Sequence, residues 1–394
     1  MNKQDPSLPL TVLLGVLIAL PALGTDLFVP ALPALASALS VDVGAAQFTL
    51  TTYFAGLGAG MLLWGPLSDR YGRKPVLCAG LILMLATSLV AANVDSVGAI
   101  AAARLVQGLA MASGSVIGRA VVRDLHAHEQ AARLLARMTI VFSLVPVSAP
   151  VIGALIVSAA GWRAVFWCLA AVGALLVATV VAGLRETVPD ERRSVHPADI
   201  ARTFRTILAE PRFVAPFLLV LCAHLGILAW VSSSAFVLVR GFGISTAGYG
   251  LAFAGVMLGQ ISGAWTSSRL VLRLGIPRLL RFGVAVMFAA GAGGAVLAWA
   301  GVNHWAAVVL PFFFFLFGSA LTVSNATAAA ISPFPAFAGA AVSLVGAVGF
   351  GVGAIISSGL AAAFDGSARA LTTLAACGGL AAFLFERKLL RGKP

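Results

Sequence analysis

Charge is what this sequence has least of: Asp, Glu, Lys and Arg together make up 10% of its 394 residues, against roughly a quarter in soluble globular domains. That deficit excludes an ordinary soluble domain. Acids are scarcer than bases, 14 against 26, so any acid inside an apolar run stands out. The four cysteines, Cys78, Cys168, Cys222 and Cys377, lie in or at the edge of apolar runs, too far apart to suggest a ligand set, and read as apolar filler. No metal site or cofactor is expected. A Walker pattern is missing as well: the Gly392-Lys393 pair is followed by proline rather than Ser or Thr, so the chain has no nucleotide motor of that kind. The period-2 alternation of transmembrane strands is also lacking.

What is there is apolar chain, 60% of the residues. A membrane-spanning helix needs about 20 mostly apolar residues, and twelve such runs can be marked at 8–38, 46–66, 75–93, 97–119, 136–159, 163–184, 213–238, 247–269, 278–300, 304–328, 337–363 and 368–386. The expected fold is an all-α membrane protein of twelve transmembrane helices. The "ALA" at 34–36 resembles a cleavage site, but the run before it is too long for an ordinary signal segment and Asp26 interrupts it, so it reads as a retained first helix.

The net charge of +12 raises the question of nucleic acid, and its placement answers it. With the N-terminus in the cytoplasm, 22 of the 26 Lys and Arg fall on inward loops and tails; Arg163, Arg240 and Arg369 face outward and Arg104 lies within a span. This is the positive-inside pattern. It points to the bilayer as partner rather than nucleic acid, with both termini cytoplasmic.

The long polar stretch at 185–212 holds six Arg and five acids and divides the chain into an N-terminal bundle (1–186), a cytoplasmic linker (187–212) and a C-terminal bundle (213–394). "DIARTFRTILAE" within the linker is amphipathic, which suits a short helix at the membrane surface or a plain helical tether. The halves read as parallel repeats offset by roughly 198 residues, pairing Gly65 with Gly263 and Asp26 with His224.

"GPLSDRYGRKP" at 65–75 joins two apolar runs with an acid and three bases. Gly65 and Gly72 permit close approach and a tight turn. Asp69 is placed to cap a neighbouring helix N-terminus, while Arg70, Arg73 and Lys74 anchor at headgroups or bind carboxylates, as a charged latch between rocking halves would. The plainer alternative is a topological basic turn. The stretch resembles the signature loop between helices 2 and 3 of the major facilitator superfamily. "TDLFVPALP" at 25–33, "RLVQG" at 104–108 and "APVIGA" at 149–154 are similar to the twelve-span drug:proton antiporters of that superfamily, in the Bcr/CflA-like branch. The resemblance implies two pseudo-symmetric six-helix bundles and proton-driven export of small-molecule drugs from the inner membrane by a monomer that is not an enzyme.

Asp26 is the natural proton carrier, because intramembrane acids usually face a cavity and mark ion or substrate paths. Pro21, Pro30 and Pro33 flank it and free local carbonyls. Arg104, at comparable depth in span 4, stays charged and is expected as its counterpart, with Gln107 on the same helix face. A purely structural role for either charge is the alternative. In span 5, Pro146, Pro150 and Gly153 lie on nearly one face, similar to the antiporter motif, from which Ala149 and Ala154 depart. A second acid found two turns before the Asp26 position in some broad-specificity relatives is replaced by Ile18. Candidate cavity walls are Tyr53, Phe54, Phe142, His224, Trp230, Gln260, Phe315 and Asn325, chosen by position; His224 is either a second proton group or a bonded histidine without function. Competing readings are a sugar or amino-acid exporter of the same fold, which would carry more polar groups in its spans, and a membrane sensor, which flux would distinguish. One carboxylate leaves sodium and proton coupling both open.

Overall fold

A computed structural model describes residues 8–125, 128–187, 197–334 and 338–391. The first half contains α1 (Leu8–Asp26), a 3-10 turn (Val29–Ala31), α2 (Leu32–Ala38), α3 (Val43–Tyr71), α4 (Arg73–Asn93), α5 (Val97–Leu125), α6 (His128–Ala160) and α7 (Arg163–Gly183). A connecting helix, α8 (Pro197–Ala209), leads to the second half. That half holds α9 (Pro211–Ala235), which runs into a π-helical turn (Phe236–Gly241), then α10 (Thr246–Leu274), α11 (Ile276–Trp299), α12 (Ala306–Ile331), α13 (Ala338–Ala362) and α14 (Arg369–Arg391).

Nine helical segments among the described residues are long and apolar enough to cross a membrane, α1 and α2 counting as one. The long helices α3, α6 and α10 bring the crossings to twelve, as the sequence predicts. α3 and α10 are diluted by Gly, Ser and Thr, and those small residues serve packing. Gly56 and Gly60 of α3 lie against backbone of Leu105 and Leu109 in α5, and Gly259 and Gly263 of α10 lie against Phe313 and Phe317 of α12 in the same manner. Without a hydrophobic force between helices in lipid, such close backbone approach supplies the dispersion that holds a bundle together.

The two halves repeat this plan, but the offset between α3 and α10 is larger than the sequence suggests. Their N-caps, Asp42 and Ser245, and their closing glycines, Gly72 (φ 99°) and Gly275 (φ 75°), are each 203 residues apart. Gly60, not Gly65, is therefore the counterpart of Gly263. Caps and left-handed turns fix register in a helix, whereas a glycine chosen from a glycine-rich run does not. The face with the Gly72 and Gly275 turns carries most of the bases and is called the basic face below.

Across the halves, α3 packs along α13 and α6 along α10. α8 forms where the amphipathic stretch predicts a helix, buries Ile207 and touches α9 and α13.

Candidate functional site

The first span breaks immediately after Asp26. Pro30 has no amide to offer the carbonyl of Asp26, and Pro33 none for Val29, so the helical ladder cannot continue through this stretch. The Phe28 amide bonds Thr25 O at 3.1 Å, one residue short of α-helical register, which leaves the Gly24 carbonyl without that partner. Asp26 itself is buried, at 6% exposure. Among the described residues its carboxyl has no hydrogen-bond or ion-pair partner, and the phenols of Tyr53 in α3 and Tyr249 in α10 stand within reach of a charge on it.

Arg104 does not form the expected pair with Asp26. Its two terminal nitrogens donate to the freed Gly24 O at 3.2 Å each, and one also donates to Gln107 Oε1 at 2.7 Å. The guanidinium lies 3.9 Å from the Tyr53 ring centroid and 4.4 Å from that of Phe28. The break thus offers neutral acceptors and two ring faces, and a fully buried cation is held by them together. Gln107 passes the network on to Ser88 Oγ at 2.6 Å. Tyr53 Oη donates to Pro21 O at 2.9 Å, so it closes the cluster inside the first half instead of lining a cavity.

α6 reaches both the break and the other half within one turn. Gly153 packs on the backbone of Leu27 so closely that a Cβ would collide with its carbonyl. Three residues earlier, Pro150 O and Val151 Cα sit 3.0 and 3.1 Å from where a Cβ on Gly250 of α10 would stand. Pro146 lies half-buried within the same helix.

The remaining wall residues separate into two groups. Phe54 stacks on Phe350 of α13 with centroids 6.1 Å apart, and His224 lies beside Gly349 of α13 with Nδ1 2.8 Å from Val220 O; both therefore meet α13. Trp230, Phe315 and Asn325 belong to the packed interior of the second half. Trp230 is wedged between Phe253 and Phe312, Phe315 presses on Gly226, and Asn325 Nδ2 donates to Ser267 Oγ at 2.8 Å. Large aromatics and an amide tying α12 to α10 serve the core here, which position along a span cannot distinguish from a cavity wall. Gln260 is half-buried on α10, and the side chain of Phe142 lies outside the described residues.

The charged turn is bonded within the first half. Arg73 pairs with Asp69, donates Nε to Asp124 Oδ2 at 2.9 Å and Nη1 to Ser68 Oγ at 2.7 Å. The expected cap at a helix N-terminus is made by a different acid: Glu186 accepts from the amides of Arg73 and Lys74 at 2.9 and 3.1 Å. Asp69 is occupied by Arg73, four residues along the chain and across the Gly72 turn. Lys74 Nζ donates to Val181 O, and Arg70 lies over the Tyr71 ring. Gly65 sits in ordinary contact with Val116.

Among the described residues, the side-chain bonds that cross between halves are on the face opposite the basic one, and sequence reading missed them. Gln47 Nε2 donates to Ser232 O at 2.9 Å and to Ser233 Oγ at 3.2 Å. Arg240, on the π-helical turn, donates to Pro33 O at 3.3 Å and Ser37 Oγ at 3.0 Å. Ser358 Oγ reaches Thr51 Oγ1 at 3.4 Å. The run of three serines at 232–234 was the available signal.

Residues 14–358 match the family profile described as Major Facilitator Superfamily. A bicyclomycin resistance protein homolog of Haemophilus influenzae is 32% identical over 379 residues, covering 96% of this chain and 95% of the relative. Multidrug resistance protein D of Escherichia coli is 30% identical over 382 residues, 94% of each chain. Among solved structures, a D-xylose-proton symporter superposes with a TM-score of 0.74 over 96% of both chains at 15% identity. The human organic anion transporter MFSD10 gives 0.69 over 97% of this chain and 100% of that one at 19% identity. At those identities the structural likeness shows the fold alone.

Proposed function

The chain belongs to the major facilitator superfamily, and from that membership we propose that it exports small, largely apolar drugs across the inner membrane in exchange for protons, acting as a monomer. The names of its relatives, resistance to bicyclomycin and to multiple drugs, support drug efflux. The observation that carries the coupling is Asp26: a buried acid at a helix break, without an ion-pair or hydrogen-bond partner among the described residues. A carboxyl so placed has no fixed counter-charge to satisfy it, so a proton and a passenger can take turns neutralising it.

Alternating access follows from where the halves are fastened. Gln47, Arg240 and Ser358 close the face opposite the basic one. By the positive-inside bias the basic face is cytoplasmic, so this arrangement has the outward side sealed. Export then proceeds in two steps. Drug reaches Asp26 from the cytoplasmic side and displaces its proton. The halves rock, the outward seal parts, and protonation of Asp26 from outside releases the drug. Arg104 braces the break through Gly24 so that Asp26 keeps its place while the halves move. The boundaries 1–186, 187–212 and 213–394 serve as the moving bodies and their linker, and the Gly65–Lys74 turn with Asp69 and Arg73 stiffens the first body.

The test is a susceptibility panel in an efflux-deficient host. Wild type is expected to raise tolerance to several unrelated drugs, and Asp26→Asn to match the empty host at equal membrane expression. Protection by Asp26→Asn equal to wild type would sink the reading.

A further inference from the structure

Two phenols come within electrostatic reach of Asp26, one from each half and from equivalent helices, α3 and α10. Tyr53 is committed: its hydroxyl donates to Pro21 O, its ring carries Arg104, and it belongs to the same half as Asp26. Tyr249 is as fully buried but differs on each of these counts: it belongs to the other half, its ring carries no cation among the described residues, and its hydroxyl shares one hydrogen bond with Ser234 Oγ at 3.0 Å, in which either oxygen can donate.

The backbone fixes how these groups approach each other. Gly153 seats α6 on Leu27, the residue after Asp26, and Pro150 seats α6 under Gly250, the residue after Tyr249. A single turn of α6 therefore spans from the carboxyl's neighbour to the phenol's neighbour. Ser234, in turn, directly follows Ser232 and Ser233, whose oxygens hold Gln47 in the outward seal. Gln47 Oε1 and Ser232 Oγ are buried there without partners, so the seal carries polar groups that water would satisfy on opening.

We propose that Tyr249 is a positioning residue that reads the protonation of Asp26 across the interface and passes it to the outward seal through Ser234. This deepens the proton-coupled reading above and rests on it. When Asp26 is charged, the Tyr249 hydroxyl donates to the carboxylate and leaves Ser234, and the 232–234 stretch loosens its hold on Gln47. When Asp26 is protonated, Tyr249 returns to Ser234 and the seal closes. The order suits an antiporter, because drug displaces the proton and opens the outward face, and a proton from outside recloses it. Among the described residues, the titratable groups within reach of a charge on Asp26 are Tyr53 from α3 and Tyr249 from α10, while Arg104 from α5 is held on Gly24 O two residues before it; Arg104 and Tyr53 belong to the carboxyl's own half and cannot report across the interface.

The experiment measures spin-label distances between Ser40→Cys and Ala247→Cys, one on each half of the outward face, in the full-length chain with its four native cysteines replaced. Drug-evoked proton release is followed in parallel. In the parent, the outward distance is expected to shorten as pH falls. Tyr249→Phe is expected to lose that pH dependence while still binding drug. Ser234→Ala removes the closed-state partner and is expected to move the midpoint of closure to lower pH, which keeps the proposal testable if Tyr249→Phe folds poorly. A Tyr249→Phe profile superimposed on the parent, or an unmoved midpoint in Ser234→Ala, overturns the proposal. Proton release that persists in Asp26→Asn would overturn the proton-coupled reading itself, a different result from either.

Discussion

The guanidinium of Arg104 lies on the carbonyl of Gly24, two residues before Asp26, with both terminal nitrogens at 3.2 Å. A cation placed to neutralise the acid would sit on the acid. This one instead occupies the backbone acceptor that the helix break exposes and stacks on Tyr53 and Phe28, which makes it a brace for the break.

A brace needs shape as well as charge. Arg104→Lys keeps the charge but cannot fork onto Gly24 O and Gln107 together or lie flat on two rings. The substitution is expected to cost about 1–3 kcal/mol, read as a lower melting temperature in detergent, and to reduce drug export at normal expression. Unchanged melting and export in Arg104→Lys would return Arg104 to a simple electrostatic role.

Gly153 admits no side chain against Leu27. Gly153→Ala is expected to cost about 1–3 kcal/mol through overpacking and to impair export by displacing the segment that follows Asp26. Thermal unfolding and drug accumulation in cells check both halves of the statement. The same assay on Gly183→Ala, where a Cβ meets nothing within 4 Å, provides the control expected to behave as wild type.

Among the described residues, the seal on the face opposite the basic one depends on few bonds. Gln47→Ala removes two hydrogen bonds that cross between the halves, worth about 1–2 kcal/mol together, or near tenfold in the closed-to-open ratio. A wider distribution of Ser40-to-Ala247 distances is the expected observation. Arg240→Ala is expected to act in the same direction, and a parent-like distribution in both would count against the seal.

Glu186 caps α4 from outside its own helix. Glu186→Ala leaves the amides of Arg73 and Lys74 without that acceptor and is expected to cost about 0.5–2 kcal/mol, visible as a lower melting temperature.

Much of the fold was legible because its causes are local. Span length follows from bilayer thickness, the basic turns from charge placement, and the break at Asp26 from Pro30 and Pro33. Asp26 itself was visible as an acid in an apolar run, and Gln107 as a polar neighbour of Arg104 on one helix face from their i,i+3 spacing, where the two prove to be bonded. What the sequence hid is what depends on a partner distant in the chain. Nothing near Arg104 announces that Gly24 O is vacant, and nothing near Trp230 says that Phe253 and Phe312 enclose it. Gln47, Ser233 and Arg240 read as ordinary polar residues at span ends until the halves are brought together. Asp69 stands where the loop alone suggests a cap, and Glu186 makes it, since a short loop shows only its own acid and not the one arriving from the stretch after α7.

The central claim, that Asp26 exchanges a proton for a passenger, is tested most directly by drug uptake into inverted membrane vesicles under an imposed pH gradient. With the vesicle interior acidic, wild-type protein is expected to accumulate drug and to release it when the gradient is collapsed, while Asp26→Asn vesicles stay at the level of empty membranes. Gradient-driven accumulation in Asp26→Asn vesicles equal to wild type would contradict the account.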